Sequence, residues 1–237
     1  MRRREWKRMW AVAWKDLLTE RRTKAAFNAM AFFAAIVLFI FSFALGPDLP
    51  TPAAEAGSLT LLQYLWPGLF WVAICFTGVL ALGRSFQMEL ESGGLEALRL
   101  YPGDRMSLYA GKVIANLLVL AALELVVVAF GAILYSLDLW TKLPALLGVA
   151  VLGSLGFAAV GTFYAALTAN LRAREVMLPL LLFPILIPLV LSAVKATALV
   201  MRGDAMGELG AWLKLLVAFD VVFVTVCTLT FEFVIEE

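Results

Sequence analysis

Apolar residues in this chain fall into six long blocks: roughly Ala25–Leu45, Leu61–Leu82, Val113–Tyr135, Leu143–Ala169, Val176–Val194 and Leu213–Phe233. A helix needs about 20 apolar residues to cross the ~30 Å hydrocarbon layer of a bilayer. Inside that layer every backbone N–H and C=O must be satisfied within the protein, which makes helices the natural reading of such blocks. The pattern predicts an all-α fold, a polytopic bundle of six transmembrane helices forming a single domain over residues 1–237. Gly46-Pro47 ends the first block, and Gly83-Arg84 is read as the stop of the second.

The polar stretches between the blocks differ in character. Residues 1–24 carry nine basic side chains, from Arg2, Arg3 and Arg4 to Lys24. Trp6, Trp10 and Trp14 recur every fourth residue, with Leu17 and Leu18 continuing the stripe. That spacing lines three indoles along one helical face. Tryptophan favours the membrane–water boundary, so residues 1–24 are predicted to form a basic, amphipathic interfacial helix. A cleaved signal peptide is not expected, because the apolar block that follows is long and lacks a small-x-small cleavage site. With the N-terminus placed in the cytoplasm, inner segments hold fifteen Lys and Arg residues. Outer segments hold four: Lys142, Lys195, Arg202 and Lys214. This bias favours six spans with both termini cytoplasmic, and the expected location is the cytoplasmic (inner) membrane.

Composition narrows the chemistry. The chain is 63% hydrophobic and 16% charged, with a formal net charge of +1. Bulk charge therefore gives no support to nucleic-acid binding. The sequence has no histidine, which removes the commonest metal ligand and acid–base residue. No metal site and no catalytic site is expected. Cys75 and Cys227 both lie in apolar blocks, where a thiol acts as a small hydrophobe. Heme iron usually takes His, Met, Cys or Tyr ligands, and the Met and Cys residues here read as packing, so no cofactor is expected to bind directly. The sequence also lacks a G-x-x-x-x-G-K-[ST] phosphate loop. Any ATP must sit on a partner subunit.

Three of the blocks carry internal marks. The fourth is rich in small residues, including Gly153 and Gly156, and predicts a close packing face either within the bundle or between two copies. The fifth contains Pro179, Pro184 and Pro188, consistent with either a bent or a broken helix. Asn116 and Glu124 lie about two turns apart in the third block, and Asp220 lies in the sixth. Ionisable groups in a bilayer are costly and need compensation. For Glu124 two readings stand: a contact that rearranges or lines a cavity, or an acid hydrogen-bonded between helices. Asp220 is near the outer end of its block, which predicts partial solvation.

The polar segment 84–112 is the other outlier. Phe86 and Leu90 are one helical turn apart, Gly93-Gly94 reads as a helix stop, and Leu95, Leu98 and Leu100 form a second apolar stripe beside Glu96. Pro102-Gly103 reads as a turn. Two short amphipathic pieces of this kind predict a cytoplasmic surface that meets either a protein partner or the lipid boundary, with partner docking favoured.

The run Gly93-Gly94-Leu95-Glu96-Ala97-Leu98, with Pro102 four residues on, resembles the G-x-L-E-x-L-x-x-x-P signature of the coupling loop in exporter-type ABC permeases. The chain more closely resembles the CcmB family, the heme-exporter permeases of cytochrome c maturation. Gly46-Pro47, Pro67-Gly68, Trp71, Arg84, Phe86, Glu89, Leu90, Lys112, Leu155-Gly156-Phe157, Pro184 and Pro188 are similar to that family's pattern. Gly83 and Met88 depart from it, standing where carboxylates are common.

The resemblance implies a non-catalytic permease subunit that works as a homodimer over CcmA-type ATP-binding subunits. Their closure would reach the spans through Arg84, Phe86, Glu89, Leu90, Gly93, Leu95, Glu96, Leu98 and Pro102. It also implies a CcmC-type heme-handling protein and a CcmE-type heme chaperone as partners. Heme would be either the transported or the chaperone-bound ligand. The same architecture would suit an exporter permease for lipids, glycans or small toxic molecules, or a membrane scaffold with no energy source.

Overall fold

The computed structural model describes residues 2–22, 24–46, 59–91, 105–169, 171 and 173–236. These residues form seven helices: α1 Arg2–Arg22, α2 Lys24–Leu45, α3 Leu61–Glu91, α4 Arg105–Tyr135, α5 Leu143–Thr168, α6 Arg174–Arg202 and α7 Leu209–Glu236. The last six are each long and apolar enough to cross a membrane. Helices α3, α4 and α5 pack on one another at the centre; α2 lies on α3 and α4, α6 on α3 and α5, and α7 on α4, α5 and α6. α1 runs along α4 and touches α2. The side of the bundle carrying α1 is called the α1 end below.

Helix ends follow local chemistry. Thr60 and Gln63 form a reciprocal cap at the start of α3: the Thr60 amide donates to Gln63 Oε1 (3.1 Å) and the Gln63 amide to Thr60 Oγ1 (3.4 Å). Gln63 Nε2 also donates to the carbonyls of Tyr135 and Ser136, both at 3.2 Å, which pins the end of α4. Gly203 stops α6 with φ +99°, a backbone region that glycine enters without steric cost. One residue on, Asp204 accepts from the amides of Glu208 and Leu209 and so caps α7.

Two boundaries differ from expectation. α3 does not stop at Gly83-Arg84 but continues to Glu91. Leu82, Phe86 and Glu89 are all buried, and this spacing holds one helical face against the bundle. A single glycine inside a helix costs only about 1 kcal/mol, which that packing outweighs. α4 likewise starts at Arg105, eight residues ahead of Val113. Much of the segment expected over 84–112 is thus helix, and residues 92–104 connect α3 to α4.

The core is aromatic and tight. Trp66, Trp71, Tyr109, Phe157 and Phe231 are buried. A Cβ at Gly153 would lie 2.2 Å from the Trp71 ring, and one at Gly156 would lie 2.4 Å from Asp220 Oδ1. Both glycines are therefore used within the bundle. α6 is continuous through Pro179, Pro184 and Pro188, so the broken-helix alternative does not hold. Pro184 and Pro188 are exposed on the outer face, while Leu182, Leu186 and Leu189 point into the core. Phe32, Phe43, Val221 and Phe233 are also exposed, as an apolar solvent allows.

Candidate functional site

The densest polar cluster sits at the α1 end, where α1, α3 and α4 meet. It begins with Gly111. A Cβ there would fall 2.7 Å from the Met9 carbonyl oxygen and 2.8 Å from Val12 Cβ. Only glycine leaves room for α1 to approach α4 this closely. One turn beyond Val12, on the same face of α1, Asp16 then reaches Lys112. The Lys112 ammonium is fully buried and lies 3.0 Å from Asp16 Oδ2 and 3.0 Å from Glu89 Oε1. It also sits 4.8 Å from the centre of the Phe86 ring, where a cation meets the negative face of the ring. Lys15 donates to Glu89 Oε1 and lies 3.3 Å from Asp16 Oδ1. Two ammonium groups and two carboxylates thus close a four-residue network across three helices.

A buried charge is tolerated when it is paired and hydrogen-bonded. Burial opposes the charge on Lys15, yet hydrogen bonding to Glu89 and the adjacent Asp16 carboxylate hold its pKa above the ordinary value. Farther along α1, burial raises the Glu20 carboxyl, partly offset by the positive charge of Arg84. Arg105 closes the other side of α4, donating to the Glu232 carbonyl of α7 at 3.2 Å.

The expected motor-facing residues separate accordingly. Phe86 and Glu89 are turned inward, at 3% and 6% exposure, and hold the root of the 92–104 connection rather than presenting a surface. Leu90 is partly buried against the core, and the Arg84 Nε is shut off from solvent with no hydrogen-bond partner among the described residues. Gly93, Leu95, Glu96, Leu98 and Pro102 lie outside the described residues. Lys15 and Asp16 were not singled out from sequence. The available signal was that Val12 and Asp16 lie one turn apart, off the indole face. Trp6, Trp10 and Trp14 are indeed outward, at 60%, 50% and 60% exposure.

A second polar line runs between α4 and α5. Tyr109 donates to the Ala159 carbonyl (2.8 Å), Asn116 Nδ2 to Thr162 Oγ1 (2.9 Å), and Ser154 Oγ to Glu124 Oε1. Glu124 also lines a cavity of about 170 Å³ with Trp66, Phe70 and Thr197. It is therefore both hydrogen-bonded between helices and at a cavity wall. Asp220 departs from expectation: it is 4% exposed, and among the described residues neither carboxyl oxygen has a hydrogen-bond partner. The space left by Gly156 seats it among Leu189 and Phe219, so it is not solvated. Among the described residues no group of three His, Cys, Asp or Glu side chains could hold a metal ion.

Six membrane-length helices, a tryptophan-edged helix along one side and buried polar joints between spans define a multi-pass α-helical membrane protein. The CcmB protein family matches residues 7–236. The chain is similar to heme exporter protein B of Paracoccus denitrificans, 30% identical over 198 residues that cover 83% of this chain and 84% of that protein. It is also similar to heme exporter protein B of Pseudomonas aeruginosa (33% over 174 residues; 72% and 71%) and of Escherichia coli K12 (31% over 189 residues; 79% and 80%). The chain belongs to the CcmB family.

Proposed function

We propose that this chain is the permease subunit of an ABC transporter for c-type cytochrome biogenesis. The observation that carries this reading is the Lys112–Glu89–Asp16 network. It joins α1, α3 and α4 into one unit around the 92–104 connection, which bears the coupling signature. A CcmA-type subunit that closes on ATP would push on that connection from the cytoplasmic side. Because α3 and α4 share a buried cation, the push moves both helices and α1 together. The desolvation cost of a buried ion pair can offset its Coulombic gain, and in this reading the network serves to fix the geometry of the three helices. The α4–α5 hydrogen bonds are each worth only about 1 kcal/mol net, so they can exchange as α4 shifts. In this reading the chain pairs with a second copy and associates with CcmC-type and CcmE-type partners. It drives either heme export or release of the heme-loaded chaperone. The names of its relatives support heme as the ligand concerned.

The test is purification of the intact complex from native membranes, with and without ATP, scoring every subunit and heme. A stoichiometric ATP-binding subunit is expected. A complex that contains no ATP hydrolase under either condition rejects the proposal.

A further inference from the structure

A groove of about 430 Å³ opens at the α1 end between α2, α3, α5 and α6. Arg84 and Arg174 both line it, and among the described residues Glu175 is the one acid on its walls. Among the described residues the buried Arg84 Nε has no hydrogen-bond partner; the Arg84 charge is felt by the Glu20 carboxyl of α1, but no described carboxylate lies within ion-pair distance of either arginine. Ala26, Met30 and Leu178 make the rest of the lining largely apolar, and Leu80, 54% exposed, continues it onto the outer surface of α3.

We infer that this groove binds the headgroup of an anionic phospholipid, with the phosphate between Arg84 and Arg174 and an acyl chain running past Leu80. Three features support a lipid, and the first and last favour it over a free anion. The groove lies at the end of membrane-length helices, where headgroups reside. A guanidinium fork matches a phosphodiester in geometry and charge. The apolar walls would stabilise an acyl chain and give nothing to inorganic phosphate. Basic pockets between transmembrane helices are recurrent headgroup sites. A lipid held there would brace the last turns of α3 against the start of α6. This inference is independent of the identity of the motor or the cargo.

The full-length chain in nanodiscs or mild detergent can be titrated with phosphatidylglycerol and with phosphatidylcholine, reading bound lipid by native mass spectrometry. Saturable binding of phosphatidylglycerol alone is expected. Arg84→Gln and Arg174→Gln should each weaken it about fivefold, the effect of one basic residue at an anionic membrane surface. Lys214→Gln, which removes an equal charge at the far end of the bundle, should leave it unchanged. Arg174 is partly exposed at a helix start, so its variant keeps the test readable if Arg84→Gln fails to fold. Equal binding of the two lipids, unchanged binding in Arg174→Gln, or displacement of phosphatidylglycerol by inorganic phosphate would each overturn the inference.

Discussion

Lys112 Nζ lies 3.0 Å from Glu89 Oε1, so one fully buried ammonium joins the two helices that flank residues 92–104. Removing it leaves two carboxylates facing each other with only Lys15 between them. Lys112→Met keeps the volume and deletes the charge. It should cost about 3–5 kcal/mol of stability, the usual penalty for breaking a buried pair. Thermal unfolding in detergent measures this. Lys112→Met combined with Glu89→Met should recover much of the loss, since Lys15 can still neutralise Asp16.

Gly111 tests whether α1 is docked or merely adjacent. Gly111→Ala places a methyl 2.7 Å from the Met9 carbonyl oxygen, a backbone atom that can yield only if α1 itself moves. The expected result is displacement of α1 at a cost of about 1–3 kcal/mol. Hydrogen exchange should rise across residues 2–22 and stay unchanged in α5 and α6. Uniform exchange behaviour in the variant would mean that α1 does not depend on this approach.

Glu96 carries the acidic position of the coupling signature. Glu96→Lys should leave membrane insertion intact and reduce co-purification of the proposed ATP-binding subunit. Its magnitude should track the loss of coupled turnover. Normal assembly with normal turnover would remove residue 96 from the docking surface.

Asp220 is a carboxyl kept at a cost. An unsatisfied buried polar group costs about 1–3 kcal/mol, so Asp220→Ala should raise the unfolding midpoint rather than lower it. A gain in stability together with a loss of activity would mark Asp220 as a residue retained for work and not for folding. A loss of stability would mean that the acid has a partner in the assembled protein.

Several features were legible along the chain because they are local. The six spans follow from hydropathy and length. The outward face of α1 follows from the four-residue spacing of Trp6, Trp10 and Trp14. The polar marks at Asn116 and Glu124 stood out against apolar neighbours, and each proves to bond across to α5. The end of α3 was misjudged because Gly83-Arg84 looks like punctuation in one dimension. The burial of Phe86 and Glu89 against neighbouring helices, which carries α3 onward, does not show there.

Sequence by itself determined the six membrane-length helices and the amphipathic helix along the edge. Those depend on the free energy of placing residue types in lipid or water, and that is nearly a sum over positions. Only the tertiary structure decided that Asp16 meets Lys112, that Gly153 and Gly156 serve packing inside the bundle, and that Asp220 is closed off with no partner among the described residues. Each of those depends on which helix faces which and how closely. That is set by steric fit between distant segments, so no single stretch of chain carries the information.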